Sequence, residues 1–144
     1  MYEMYIAPMA AIQYDSIAAA RAHLKEVVDA AEAGRPTALR RGNRRTSVVD
    51  ADRLRDALAT LRPARAEVVA ENGGWTVLIP GLPVAADGST LEVALTEMID
   101  ALREYADDWA DHLQHAHNHR EHWALVQLIA LSDDEHLRQW LVGE

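Results

Sequence analysis

Between residues 16 and 31, apolar side chains recur at Ile17, Ala20, Leu24, Val27, Val28 and Ala31. That spacing puts them on one face of a helix, so the stretch predicts a single amphipathic α-helix behind a short strand. Ser16 is a good N-cap, because its hydroxyl can accept from a free backbone N–H. Gly34 stops the helix, since it takes the left-handed conformation without a Cβ clash. Pro36 bars continuation. Residues 37–41 and 44–49 then read as two strands. Gly42-Asn43 between them suits a tight hairpin turn, because both residues tolerate positive φ. Asp50 or Asp52 caps a second helix, on which Leu54, Leu58 and Leu61 repeat toward the core. Pro63 ends that helix and marks a boundary.

Beyond the boundary, residues 66–70 and 75–79 are short β-favouring runs, with a strong turn at Asn72-Gly73-Gly74. Val84-Ala85 reads as a third, edge strand. Residues 87–90 turn the chain and cap a long helix, with Glu92 in its first turn, where the helix dipole favours negative charge. Leu91, Ala94, Leu95, Met98, Ile99, Leu102, Tyr105 and Trp109 make that helix amphipathic and pack it on the hairpin. From His112 to Trp140 the chain reads helical twice over. Ser132, followed by Asp133, Asp134 and Glu135, restarts the second of these helices. The fold class is therefore α+β: a β-α-β-β-α domain over residues 1–64, then a hairpin-and-helix region over 65–144.

A chain of 144 residues with nearly half its positions apolar can bury a core. It has no cysteine, which excludes disulfides and thiolate metal sites and suits a reducing cytosol. No run approaches the roughly 20 apolar residues that cross a bilayer. The opening residues lack a basic start and a long apolar centre, so they do not read as a signal peptide. The first eight read as a disordered extension, with Met9 an alternative start. Net charge is −9, unevenly spread. Residues 1–66 carry 11 Arg and Lys against 8 Asp and Glu, a balance of +3. Residues 67–144 carry 3 Arg against 15 Asp and Glu, a balance of −12. One half suits a polyanion and the other something cationic; two solvated faces that differ by chance are the plainer alternative.

Tyr14-Asp15-Ser16, residues 20–27, Glu32-Ala33-Gly34-Arg35-Pro36, Arg40-Arg41-Gly42 and Ser47-Val48-Val49, in that order and spacing, resemble the Phd/YefM (prevent-host-death) antitoxins over about residues 11–62. The chain departs from the family at His23, where Asn is frequent. Residues 74–83 and 87–94 are similar to the HicB antitoxins, which implies part of a ribonuclease H shape without its catalytic acids. The tail, through Tyr105, Trp109, His119, residues 123–128 and 131–134, looks like an actinobacterial branch of Phd-like partners of RelE-type toxins.

Six cationic residues are the candidate DNA contacts: Arg21 and Lys25 one turn apart, and Arg40, Arg41, Arg44 and Arg45 around the hairpin tip. A guanidinium donates two parallel bonds to a phosphate and is the commonest reader of guanine. From charge alone they are an ordinary solvated face. The Phd/YefM resemblance implies that Arg21 and Arg41, with Arg40 and Arg44, enter operator DNA in a homodimer. An Ala-rich unit with few large apolar residues also calls for a partner, and a two-fold dimer is the commonest solution.

His112, His115, His117, His119 and His122 lie within eleven residues, and a helix there puts His115, His119 and His122 on one face. Two imidazoles four residues apart can bind zinc, but a catalytic site also needs a third ligand and usually a carboxylate base, and Glu121 points away on a helix, so no metal or cofactor is assigned. A weakly charged exposed face explains them as well. Trp75, Trp109, Trp123 and Trp140 read first as core. An apolar patch rimmed by acid nevertheless suits a basic protein partner, and Trp109, Leu113, Trp123, Val126, Ile129, Leu137 and Trp140 are its candidate residues. The carboxylates Asp107, Asp108 and Asp111 read as a solvated helix face. P-loop, GxGxxG and GxSxG motifs are absent, so an enzyme is not expected.

Together these readings predict a cytoplasmic antitoxin. It neutralises a small basic toxin of RelE/ParE type and represses its own operon by binding promoter DNA as a dimer, without touching a membrane. The alternative is a DNA-binding regulator with a sensory, metal-responsive C-terminal domain.

Overall fold

The computed structural model describes residues 11–144. The expected disordered extension and the alternative start at Met9 lie outside them. The chain divides into two compact units, residues 1–54 and 55–144. The described residues form an α+β fold with two three-stranded sheets and six α-helices.

The first unit runs β1 (Ile12–Tyr14), α1 (Ile17–Ala22), α2 (Leu24–Glu32), β2 (Thr37–Arg41), β3 (Arg44–Thr46) and the start of α3 (Ala51–Leu61). β1 lies parallel to β2, and β3 pairs antiparallel on its other side. Ser16 caps α1, accepting from the Ala19 N–H at 3.0 Å.

The expected single helix is two. His23 leaves the helical region at φ −121 and ψ 31, and its ring stacks on Tyr14 with centroids 5.7 Å apart. Apolar spacing runs on across the break, so periodicity alone did not reveal it. Gly34, at φ 80, closes α2 with paired bonds: its N–H to Ala31 O and the Arg35 N–H to Ala30 O. This is the two-bond closure that a left-handed residue allows.

β3 stops at Thr46, short of the expected Val49. The Val48 N–H turns to the Thr37 hydroxyl at 3.4 Å instead of a strand partner. Between the strands only Gly42 has positive φ, the sign pattern of a type II′ turn; Asn43 does not use the freedom expected of it. Asp50 caps α3, its carboxylate accepting from the Arg53 N–H at 2.9 Å. Along α3, Leu58 is buried, but Leu61 is 82% exposed rather than turned to the core.

The second unit carries the rest of α3, then β4 (Glu67–Glu71), β5 (Gly74–Leu78), β6 (Ala85–Gly88), α4 (Leu91–Asp111), α5 (Trp123–Leu131) and α6 (Asp134–Val142). The strands form an antiparallel meander in that order. Asn72 and Gly73 both have positive φ, as a type I′ hairpin turn requires. β6 runs further than the expected Val84-Ala85. Asp87 and Gly88 are in the ladder, and Thr90 alone caps α4, accepting from the Val93 N–H.

Val77 from the sheet, Ala94, Met98 and Leu102 from α4, and Leu125, Leu128, Ile129 and Leu137 from α5 and α6 form the core, each at most 1% exposed. Ser132 does not start α6. Its buried hydroxyl donates back to Leu128 O at 2.6 Å and closes α5. Asp133 caps α6 in a reciprocal box with His136. Arg103 spans this corner, donating to Ile129 O, Ser132 O and the Asp134 carboxylate. Arg138 grips both oxygens of Glu92 at 2.6 and 3.2 Å. That pairing holds the Glu92 proton affinity below the usual carboxylate range.

Candidate functional site

All six cationic residues singled out in the sequence are exposed. Arg21 sits in the last turn of α1. Lys25 is bound to Asp29 at 2.7 Å, and that hydrogen bond raises its pKa. In the hairpin, Arg40 pairs with Arg45 and Arg41 with Arg44. Side chains alternate along a strand, so the first pair points to one face of the sheet and the second to the other. Arg40 and Arg45 share their face with Gln13 and Ala38. Among the described residues none of the four arginines forms a salt bridge, and Asp15 lines the same small recess as Arg40 and Arg45. Like charges directly opposite across two strands are destabilising, so this hairpin concentrates cation at a cost in stability.

In the second unit the seven candidate partner-binding residues separate by burial. Trp123 is 49% exposed. Trp109, Leu113 and Val126 are half-buried, and the Trp109 indole donates to His119 O at 2.9 Å. Ile129, Leu137 and Trp140 lie in the core; the Trp140 indole donates to Arg62 O at 2.8 Å.

The histidines are not on one helical face. Between α4 and α5 the chain makes two short 3-10 turns, Leu113–His115 and Arg120–His122. His119 and His122 both bring Nδ1 to the Tyr105 hydroxyl, at 2.9 and 2.6 Å. One hydroxyl carries one proton, so it donates to one imidazole and accepts from the other. Burial, then Arg62 and His119, lowers the His122 pKa; burial raises that of Tyr105. Among the described residues no group of three or more His, Asp or Glu is poised around a metal.

Sequence reasoning missed the length of the acidic stripe on α4. Glu97, Asp100, Glu104, Asp107, Asp108 and Asp111 are all exposed, at spacings that keep one helix face. The solvated face of Asp107, Asp108 and Asp111 is only the C-terminal part of this stripe; the three- and four-residue steps are the available signal.

Comparison with known proteins now places the chain. A family profile described as "Antitoxin of toxin-antitoxin, RelE / RelB, TA system" (PHD_like) matches residues 9–142. The chain belongs to that family. This PHD_like protein is thus an antitoxin of a RelE/RelB-type toxin–antitoxin system, and the family is not one of enzymes. Its fold is similar to a crystal structure from Syntrophomonas wolfei subsp. wolfei, the antitoxin part of a candidate toxin/antitoxin system. The match has a TM-score of 0.74 at 19% identity, over 91% of this chain and 95% of that one. No curated protein matches it. No helix among the described residues is long and apolar enough to cross a membrane.

Proposed function

We propose that this PHD_like antitoxin acts through two divided tasks in the cytoplasm. Residues 1–64 dimerise and bind promoter DNA through Arg21, Lys25, Arg40, Arg41, Arg44 and Arg45, repressing the operon. Residues 65–144 cover a small basic toxin of RelE/ParE type. The observation that carries the DNA half is the unpartnered arginine hairpin: Arg40 against Arg45 and Arg41 against Arg44. A phosphate backbone would supply the ion-pair partner that these arginines lack among the described residues. The dimer is supported by Ile17, Leu24 and Val28, which are 44, 58 and 42% exposed on a small unit.

For the toxin half, the α4 acidic stripe steers a cationic protein, and Trp109, Leu113, Trp123 and Val126 supply apolar contact. Ile129, Leu137 and Trp140 are buried and contribute core packing rather than direct contact. A gel shift with the chain's own upstream DNA tests the first half. Arg41→Ala is expected to remove the shift and leave the dimer intact on a sizing column; an unchanged affinity refutes the site.

A further inference from the structure

β4 is an edge strand, paired only to β5, and every residue in it is exposed. Its hairpin closes through a two-residue turn, with Glu71 opposite Gly74. The closing pair of such a hairpin exchanges both backbone hydrogen bonds, and bonded pairs then alternate along the ladder. Glu71, Val69 and Glu67 therefore bond inward to β5. Val68 and Ala70 turn their N–H and C=O outward, and neither has another backbone partner among the described residues. That outer edge offers two donors and two acceptors at strand spacing.

The side chains give the edge an address. Val69, 39% exposed, lies between Glu67 and Glu71 on one face of the strand, and Val68, 45% exposed, lies with Ala70 on the other. A second copy is a poor occupant. Antiparallel pairing centred on Val69 sets Glu67 of each copy against Glu71 of the other, and like charges directly opposite are destabilising. A strand with an apolar middle and cationic flanks fits. Beyond Glu67 the strand borders a groove of about 590 Å³ with a mixed lining, Leu61, Ile79 and Trp140 beside Arg62, Arg65 and Glu67. Leu61 is 82% exposed there, unused by the core.

We propose that β4 is a docking edge that takes an extended segment of the toxin as a fourth strand, apolar in its middle and with Lys or Arg set opposite Glu67 and Glu71. Main-chain bonds give such an addition its affinity, and alternate side chains give it specificity. This rests on the antitoxin reading above and adds a second toxin contact to the α4 surface named there.

The test uses the full chain co-expressed with the toxin encoded in its own operon. Amide exchange compares the free chain with the complex. The Val68 and Ala70 amides are expected to slow at least about tenfold in the complex, while the inward Val69 amide changes less. Ala70→Pro removes one outward N–H and spares the inward ladder, a position where edge strands tolerate proline. It is expected to weaken toxin binding with the melting temperature of the free chain little changed. Joint reversal, Glu67→Lys with Glu71→Lys, is expected to weaken binding and flatten its salt dependence.

A complex that forms while Val68 and Ala70 exchange as in the free chain overturns the docking edge and leaves the antitoxin reading standing; β4 is then only an edge guarded by charge. A wild-type chain that co-purifies with no operon toxin overturns both.

Discussion

Tyr105 shows how much one hydroxyl can organise. It joins α4 to His119 and His122, and the Trp109 indole adds a bond from the same helix to His119 O. The arrangement has a pH sign. His122 has a lowered pKa in the fold, so the unfolded chain binds a proton there more readily. Its contribution to stability is complete above the unfolded value of about 6.5 and is lost as pH falls through that value toward the lowered one. Thermal melts taken from pH 8 downward should show stability dropping below about pH 6.5, by at most about 1.4 kcal/mol per pH unit per proton. In His122→Gln the amide can still hydrogen-bond the Tyr105 hydroxyl but does not titrate, so the drop should shrink. An identical profile in that variant assigns the titration to another group.

Arg103 is a second single-residue device. Its guanidinium satisfies two main-chain carbonyls at the α5–α6 corner and one carboxylate. Charge-assisted bonds to carbonyl groups contribute more than neutral ones, but this side chain is 37% exposed, which discounts them. Arg103→Ala should cost on the order of 1–3 kcal/mol in urea unfolding. A loss within error of zero shows that the corner holds by apolar packing alone. Neither residue's role was legible in the sequence. Tyr105 sat correctly on the core face of α4, but its partners lie 14 and 17 residues away in non-helical turns that the histidine spacing mimicked as a helix.

At the level of elements, turn chemistry and helical periodicity located nearly every segment, because both are local. Asn72-Gly73 must be a turn since both residues adopt positive φ, and α4 announces itself by a continuous stripe. Errors fell where a tertiary contact overrides local preference. His23 stacks on Tyr14 and splits a helix, Thr37 captures the Val48 N–H and shortens β3, and Ser132 is spent inside the core. β6 is the clearest case. Asp87-Gly88 has turn composition, yet Gly88 lies in the ladder opposite Trp75. It does so because β6 crosses close over the start of α4. A Cβ at Gly88 would sit 2.8 Å from the Val93 carbonyl carbon and closer still to the Ala94 nitrogen. Those are backbone atoms, so strand and helix must separate. Gly88→Ala should therefore destabilise the second unit by roughly 1–3 kcal/mol, the usual scale of overpacking. Circular dichroism melts measure it, and an unchanged midpoint means that β6 does not need this approach.

For the whole molecule, the charge asymmetry is legible in the sequence, and so is the family. The sorting of apolar residues is not. Ile17, Leu24 and Val28 share the predicted stripe with Ala20, Val27 and Ala31, yet only the alanines and Val27 are buried. Periodicity says which residues want to leave water, not whether their own chain or another covers them. Small side chains fill the interior of the first unit, and larger ones remain outside it. If a second copy covers them, dimerisation and DNA binding are linked, because a paired site engages both arginine hairpins at once. Leu24→Asp, at the most exposed of the three, should then shift the sizing profile to the monomer. It should also weaken promoter binding steeply without touching any arginine. Wild-type affinity should itself fall with salt, since each phosphate contact releases counterions. In the variant that salt slope should drop toward half, as one hairpin instead of two meets the duplex. A monomeric Leu24→Asp that binds the promoter as tightly as the wild type would separate the two functions and show that one hairpin suffices.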